Sequence, residues 1–188
     1  MELKFGNVKL RAIEKEDCGL LKFLMNSAAV EQTTVGWNQP VSTAMQEKWI
    51  ENYRNSDNIM RWMIELENGV VLGMIMLTDI DWKNRIALIG IKINPYEKKR
   101  LKGDTKNALY AVIEYAFEEL ALHRIESLIL KNNIFSIRLG ESMGFQLEGV
   151  QRAKIYKRGI WNDLCCYGLL NEDYVHYDDG RAPWQLEG

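Results

Sequence analysis

The chain has 188 residues, 47% of them hydrophobic, enough for one sizeable core and a better fit to one domain than to two. Its 24 basic and 26 acidic residues leave a formal net charge of -2 and a sequence pI near 5.8, so no broad basic surface for a nucleic-acid backbone is expected. No apolar run approaches the ~20 residues of a membrane span. Cys18, Cys165 and Cys166 have neither the count nor the spacing of a disulfide framework or a zinc site, and His123 and His176 are too few and too scattered for a metal centre. Met1 leads directly into the alternating Leu3-Lys4-Phe5, so a cytoplasmic protein in a reducing compartment is expected, with neither membrane nor metal.

In chain order, residues 2–12 read as a first strand, and residues 17–27 as a helix with Leu20, Leu21, Leu24 and Met25 at helical spacing. A loop with Thr33, Thr34, Gly36, Trp37 and Pro40 follows, and Ser42 is placed to cap a second helix reaching about Tyr53. Residues 61–66, 70–78 and 85–93 then form an antiparallel meander, turning at Glu67-Asn68-Gly69 and at Trp82-Lys83-Asn84. Leu109, Val112, Ile113, Ala116, Phe117 and Leu120 keep i, i+3, i+4 spacing, which predicts an amphipathic helix over 105–120. A strand over 125–130 and a helix over 133–143 ending at Gly144 come next. Strands over 145–156 and 161–170 turn at Lys157-Arg158-Gly159. One domain over 1–170 is expected, followed by a polar tail over 171–188.

The segment Lys98-Lys99-Arg100-Leu101-Lys102-Gly103-Asp104-Thr105 lies between a strand and the long helix. Backbone N–H groups at a helix N-terminus, with the helix dipole behind them, hold phosphate oxygens, and Gly103 lets the backbone come close. A solvated basic loop before an ordinary helix explains this segment alone equally well.

Three segments together resemble the GNAT superfamily, in particular its branch of ribosomal-protein N-terminal and spermidine acetyltransferases. Arg100-Leu101-Lys102-Gly103-Asp104-Thr105 is similar to the R/Q-x-x-G-x-G/A loop for the coenzyme A pyrophosphate, with Thr105 where glycine or alanine is usual. Asn133-Ile134-Phe135-Ser136 and Gly144-Phe145-Gln146-Leu147-Glu148-Gly149 look like N-x-x-S/A followed by G-F-x-x-E-G, and Gly159-Ile160-Trp161-Asn162-Asp163 is similar to a G-x-W-x-D hairpin. The resemblance implies an α/β (α+β) fold, with a central twisted, mixed and mostly antiparallel sheet of about seven strands flanked by about four helices. It also implies acetyl-CoA as cosubstrate and an amine acceptor, namely a protein N-terminus, a polyamine or a nucleotide-linked amino sugar. On the same resemblance Ile91 and Ile93 expose backbone groups to pantetheine, residues 100–105 surround the pyrophosphate, and Asn133 and Ser136 lie along the cofactor near its sulfur. Capping and small-residue packing are the plain alternatives for those last two.

Two family features are absent. Gly140 stands where many members carry a tyrosine acid, and Leu88 lies in the stretch where a glutamate base is often found. On the resemblance the backbone N–H of Ile91 is the candidate oxyanion donor; Glu31, Asp79 and Asp81 are candidate bases or plain exposed loop carboxylates, and Trp37 and Tyr156 are candidate walls of the acceptor pocket or core aromatics. A non-catalytic acyl-CoA sensor is the reading from a different class. Exposed strand edges make a homodimer possible.

Overall fold

The computed structural model describes residues 2–36, 39–53, 56–99 and 101–174. Trp37, Arg100, His176 and residues 175–188 lie outside the described residues. Residues 2–12 are not one strand but a hairpin of β1 (Leu3–Phe5) and β2 (Val8–Arg11), with Leu3 opposite Leu10 and Phe5 opposite Val8. The apolar positions change parity across Gly6-Asn7, from 3 and 5 to 8 and 10, as a two-residue turn between paired strands requires. After a 3-10 turn at Lys15–Asp17, α1 (Cys18–Asn26) is followed directly by a short α2 (Ala28–Thr33) where a loop is expected. Ser27 separates them and caps α2, its hydroxyl accepting from the Val30 amide at 3.4 Å. Ser42 caps α3 (Thr43–Asn52) in the same way, accepting from the Met45 amide at 3.2 Å.

The meander is β3 (Met60–Leu66), β4 (Val71–Asp81) and β5 (Ile86–Ile93), followed by α4 (Asp104–Glu118), β6 (Arg124–Leu130) and α5 (Ile134–Glu141). The hairpin β7 (Gln146–Lys157) and β8 (Ile160–Leu170) ends the sheet. The strand order is β1-β2-β3-β4-β5-β6-β8-β7, and all neighbours are antiparallel except β5 and β6. Among the described residues there are thus eight strands and five α-helices, one strand and one helix more than the expected counts. Tyr174 is buried and its ring lies 5.5 Å from that of Phe117, so packing continues past residue 170.

The helical stripe of α4 supplies Leu109, Val112, Ile113, Ala116 and Phe117 to a core shared with Leu10, Ile64, Leu72, Ile75, Leu77 and Ile125. Burial of each such leucine, isoleucine, valine or phenylalanine contributes about 1.5–3 kcal/mol. On the other sheet face, Met63, Met74 and Met76 meet Leu20 and Leu21 of α1 and Ile50 of α3. The two faces therefore carry different helices, with β5 and β6 between them.

Candidate functional site

The parallel pairing of β5 and β6 runs only from Ile86–Arg124 to Leu88–Glu126. Beyond it β6 stays with β8 as far as Leu130–Leu164, while β5 stays with β4 as far as Ile93–Gly73, so the sheet opens between them. The Asn94 amide donates to the Leu72 carbonyl at 2.8 Å. Antiparallel bonding alternates, so Lys92 and Gly90 also bond to β4, and the peptide groups of Ile91 and Ile93 turn to the open side.

A cavity of about 420 Å³ occupies the split. Its walls are β5 from Leu88 to Lys92, β6 from Ser127 to Ile129, Leu109 of α4, the segment Thr33–Gly36, and Asn133, Ser136, Leu139 and Gly140 at α5. Ile91, Asn133 and Ser136 thus line one space, and so do Leu88 and Gly140, the two positions without the usual acid or base. Asn133 has a structural task as well. Its side-chain oxygen caps α5 by accepting from the Ser136 amide at 3.1 Å, and its amide donates to the Thr33 carbonyl at 3.0 Å. That pair of bonds ties α5 to the end of α2 at the cavity wall.

One turn before Leu109, the N-terminus of α4 carries Leu101, Lys102, Gly103, Asp104 and Thr105. Gly103 sits at the cap with φ of 109°, a conformation that side chains disfavour. The amides of the first helical turn, Thr105 and Lys106, have no partner within the helix. Asp104 is buried and turned inward, its carboxylate accepting from the Leu101 amide at 2.7 Å and from the Asn7 side chain at 3.0 Å. It shapes the turn and presents no charge outward. Ile93 ends β5 against the α4 core.

The three candidate bases lie apart from this cavity. The Glu31 carboxylate accepts from Lys157 at 2.6 Å and lies 3.5 Å from Arg158, and the bond to Lys157 holds it below the usual glutamate range. Asp81 caps the β4–β5 turn, accepting from the Asn84 amide and side chain at 2.9 and 2.7 Å, bonds that lower its pKa. Asp79, at positive φ on a bulge in β4, is exposed and accepts from the Thr78 hydroxyl. Tyr156 does not line the pocket either. It is 60% exposed on the terminal hairpin with its ring 5.0 Å from that of Trp161.

The ionisable side chain among the described cavity residues is Lys92, whose Nζ lies 3.5 Å from the Met25 sulfur. Burial, and after it the charges of Arg61 and Lys157, hold its ammonium below the usual lysine range. The sequence carries a signal for it, a lone charge among Ala87, Leu88, Ile89, Gly90, Ile91 and Ile93, which the reading above passes over.

A family profile described as an acetyltransferase (GNAT) domain matches residues 7–146. The chain belongs to the GNAT family. It is 30% identical over 168 residues to the SPbeta prophage-derived uncharacterized N-acetyltransferase YokL of Bacillus subtilis, covering 89% of this chain and 92% of that one. The putative ribosomal N-acetyltransferase YdaF of the same organism is 34% identical over 67% of each chain. A Vibrio cholerae spermidine N-acetyltransferase crystallised with CoA and spermine has the same fold, at a TM-score of 0.80 and 23% identity over 89% of this chain and 98% of that one. The chain is accordingly a GNAT N-acetyltransferase.

Within this GNAT sheet the motif glutamate Glu148 has a clear structural partner. Its carboxylate receives both terminal nitrogens of Arg124, one at 2.6 Å, while the Arg124 Nε donates to Glu126 at 2.9 Å. The guanidinium crosses Gly168, where a Cβ would collide with its Nη2. This clamp joins β6, β7 and β8 beside the point where β5 and β6 part.

Proposed function

We propose that the chain transfers the acetyl group of acetyl-CoA directly to a primary amine within a ternary complex. The observation that carries this reading is the β5–β6 split, with the Ile91 peptide group facing an apolar cavity, that of Ile93 on the same side of β5, and a helix N-terminus one turn before Leu109. The Ile91 carbonyl and the Ile93 peptide group would bind the amides of the pantetheine arm as an added strand does, leaving the Ile91 N–H for the thioester, and the α4 turn would bind the phosphates. Acetyl-CoA supplies an activated thioester. The amine nitrogen forms a bond to the carbonyl carbon, the carbon–sulfur bond breaks, the amine gives up a proton and the sulfur leaves to become the thiol. The Ile91 amide stabilises the charge that develops on the carbonyl oxygen.

No carboxylate lines the cavity among the described residues, and none of Glu31, Asp79 and Asp81 reaches it. Deprotonation is therefore assigned to the medium. An apolar site beside the Lys92 cation disfavours an ammonium ion and favours the neutral amine, which is the nucleophile. Catalysis then rests on positioning and on the backbone donor.

The test is calorimetric titration of wild type, Gly103→Trp and Ser136→Trp with CoA and acetyl-CoA, together with thermal melts that confirm folding. Binding by the wild type that either substitution abolishes is the expected result. Unchanged binding in both folded variants would place the cofactor elsewhere. The free thiols of Cys18, Cys165 and Cys166 are consistent with action in a reducing cytoplasm. We also propose a homodimer, since β7 is an edge strand and the hairpin tip exposes Tyr156, Ile160 and Trp161. Sedimentation equilibrium distinguishes one copy from two.

A further inference from the structure

The relatives named above include an enzyme for spermidine, a polycation, yet the charges around this cavity have the opposite sign from those such a molecule needs. Among the described lining residues there is no Asp or Glu, and the charged group is Lys92. Lys92 makes no ion pair among the described residues, and its hydrogen bond goes to the neutral Met25 sulfur. The groups that act on it electrostatically are two further cations, Arg61 and Lys157. Glu31, on the neighbouring α2, is already held by Lys157 and Arg158. A half-buried ammonium with no counter-ion among the described residues is costly, and a partner arriving with the substrate would remove that cost.

The position of Lys92 also separates it from the phosphate turn. Its register partner on β4 is Met74, which packs with Leu21 on the α1 and α3 side of the sheet. Directly opposite residues share a sheet face. The N-terminus of α4 belongs to the other face, with Leu109 and the main core. Lys92 therefore meets a molecule entering beside α1 and the Thr33–Gly36 segment.

We infer that the acceptor is a small primary amine that also carries an anionic group, phosphate or carboxylate, and that Lys92 receives this anion. The inference rests on the acetyl-transfer reading for the role of the amine, while the anion site itself rests on the cavity and its charges. A polyamine is disfavoured by the same arrangement, because like charges repel strongly where water is excluded.

The experiment uses the full chain saturated with CoA and four probes, 2-aminoethyl phosphate, β-alanine, ethanolamine and spermidine. Calorimetry measures their binding to wild type, Lys92→Met and Lys92→Arg, and thiol release from acetyl-CoA measures turnover. One or both anionic amines should bind about tenfold or more tightly than ethanolamine, a preference that falls to about one in Lys92→Met and returns in Lys92→Arg. The stronger of the two distinguishes phosphate from carboxylate. CoA affinity should be the same in all three proteins.

A preference for spermidine, equal or undetectable binding of anionic and neutral amines, or a loss of CoA affinity in Lys92→Met would overturn the inference. Lys92-dependent anion binding without thiol release would instead retain the site and refute acetyl transfer to these amines. Equal thiol release from all four probes would retain transfer and refute the anion site.

Discussion

Asp104 is the residue whose role differs most from its expected one. A carboxylate in the middle of a phosphate loop opposes the ligand if it faces outward, and here it faces inward, 2% exposed, with the Leu101 amide and Asn7 as donors. Its position in the first turn of α4 also suits the positive end of the helix dipole. Asp104→Ala would leave the Leu101 amide without its partner, a loss of about 1–3 kcal/mol. Urea denaturation should register that loss. CoA affinity should fall by about tenfold in the folded variant, because the turn is no longer held in shape. An affinity unchanged in the presence of the stability loss would mean that the turn does not bind the phosphates.

At the scale of elements, α2 is placed by a side chain from the far end of the sheet. The Nζ of Lys157 donates to the Glu31 carboxylate at 2.6 Å, to the Glu31 carbonyl at 2.9 Å and to the Gly36 carbonyl at 3.0 Å, thereby fixing the segment that walls the cavity. The bond to Lys157 depresses the Glu31 pKa in the folded state, so the pair's contribution is complete above the ordinary glutamate pKa and disappears as the pH falls through the folded value. Glu31→Gln should cost about 2 kcal/mol at neutral pH by urea denaturation. The gap from wild type should close on acidification below pH ~4, near the ordinary glutamate value. A gap independent of pH would assign the effect to packing. This tie between residues 31 and 157 is invisible in the sequence, since nothing local marks a partner 126 positions away. The long periodic helix α4, the meander and the Ser42 cap are legible because each is fixed by local spacing or by a capping side chain. The first hairpin and α2 are too short for periodicity to define, although the parity change at Gly6-Asn7 marks the former. For the same reason the motif residues around the cavity could be located in the sequence, but the acid–base candidates could not be sorted. Glu31, Asp79 and Asp81 are near the cavity in chain order and directed elsewhere by partners that only the fold supplies.

For the whole molecule, the split divides one sheet into β1–β5 and β6–β8, joined by the short ladder at Ile86–Leu88. The clamp of Arg124 on Glu126 and Glu148 stiffens the second half beside that ladder, so the opening is a built feature of the sheet. Parity of bonding along β5 then makes a prediction that no other fold element shares. The amides of Gly90 and Lys92 bond to β4 and should exchange slowly with deuterated solvent, opening only with the sheet. The Ile91 amide, between them in sequence, faces the split and should exchange much faster in the free protein. Saturation with acetyl-CoA should slow Ile91 selectively and leave its neighbours nearly unchanged, because the bound thioester supplies the carbonyl acceptor that β6 does not. Residue-resolved exchange by NMR makes this comparison within a single strand, so differences in global stability cancel. Uniform protection of residues 90 to 92 in the free protein would mean that β5 has no open side, and the assignment of the Ile91 amide as carbonyl-oxygen donor would fall with it.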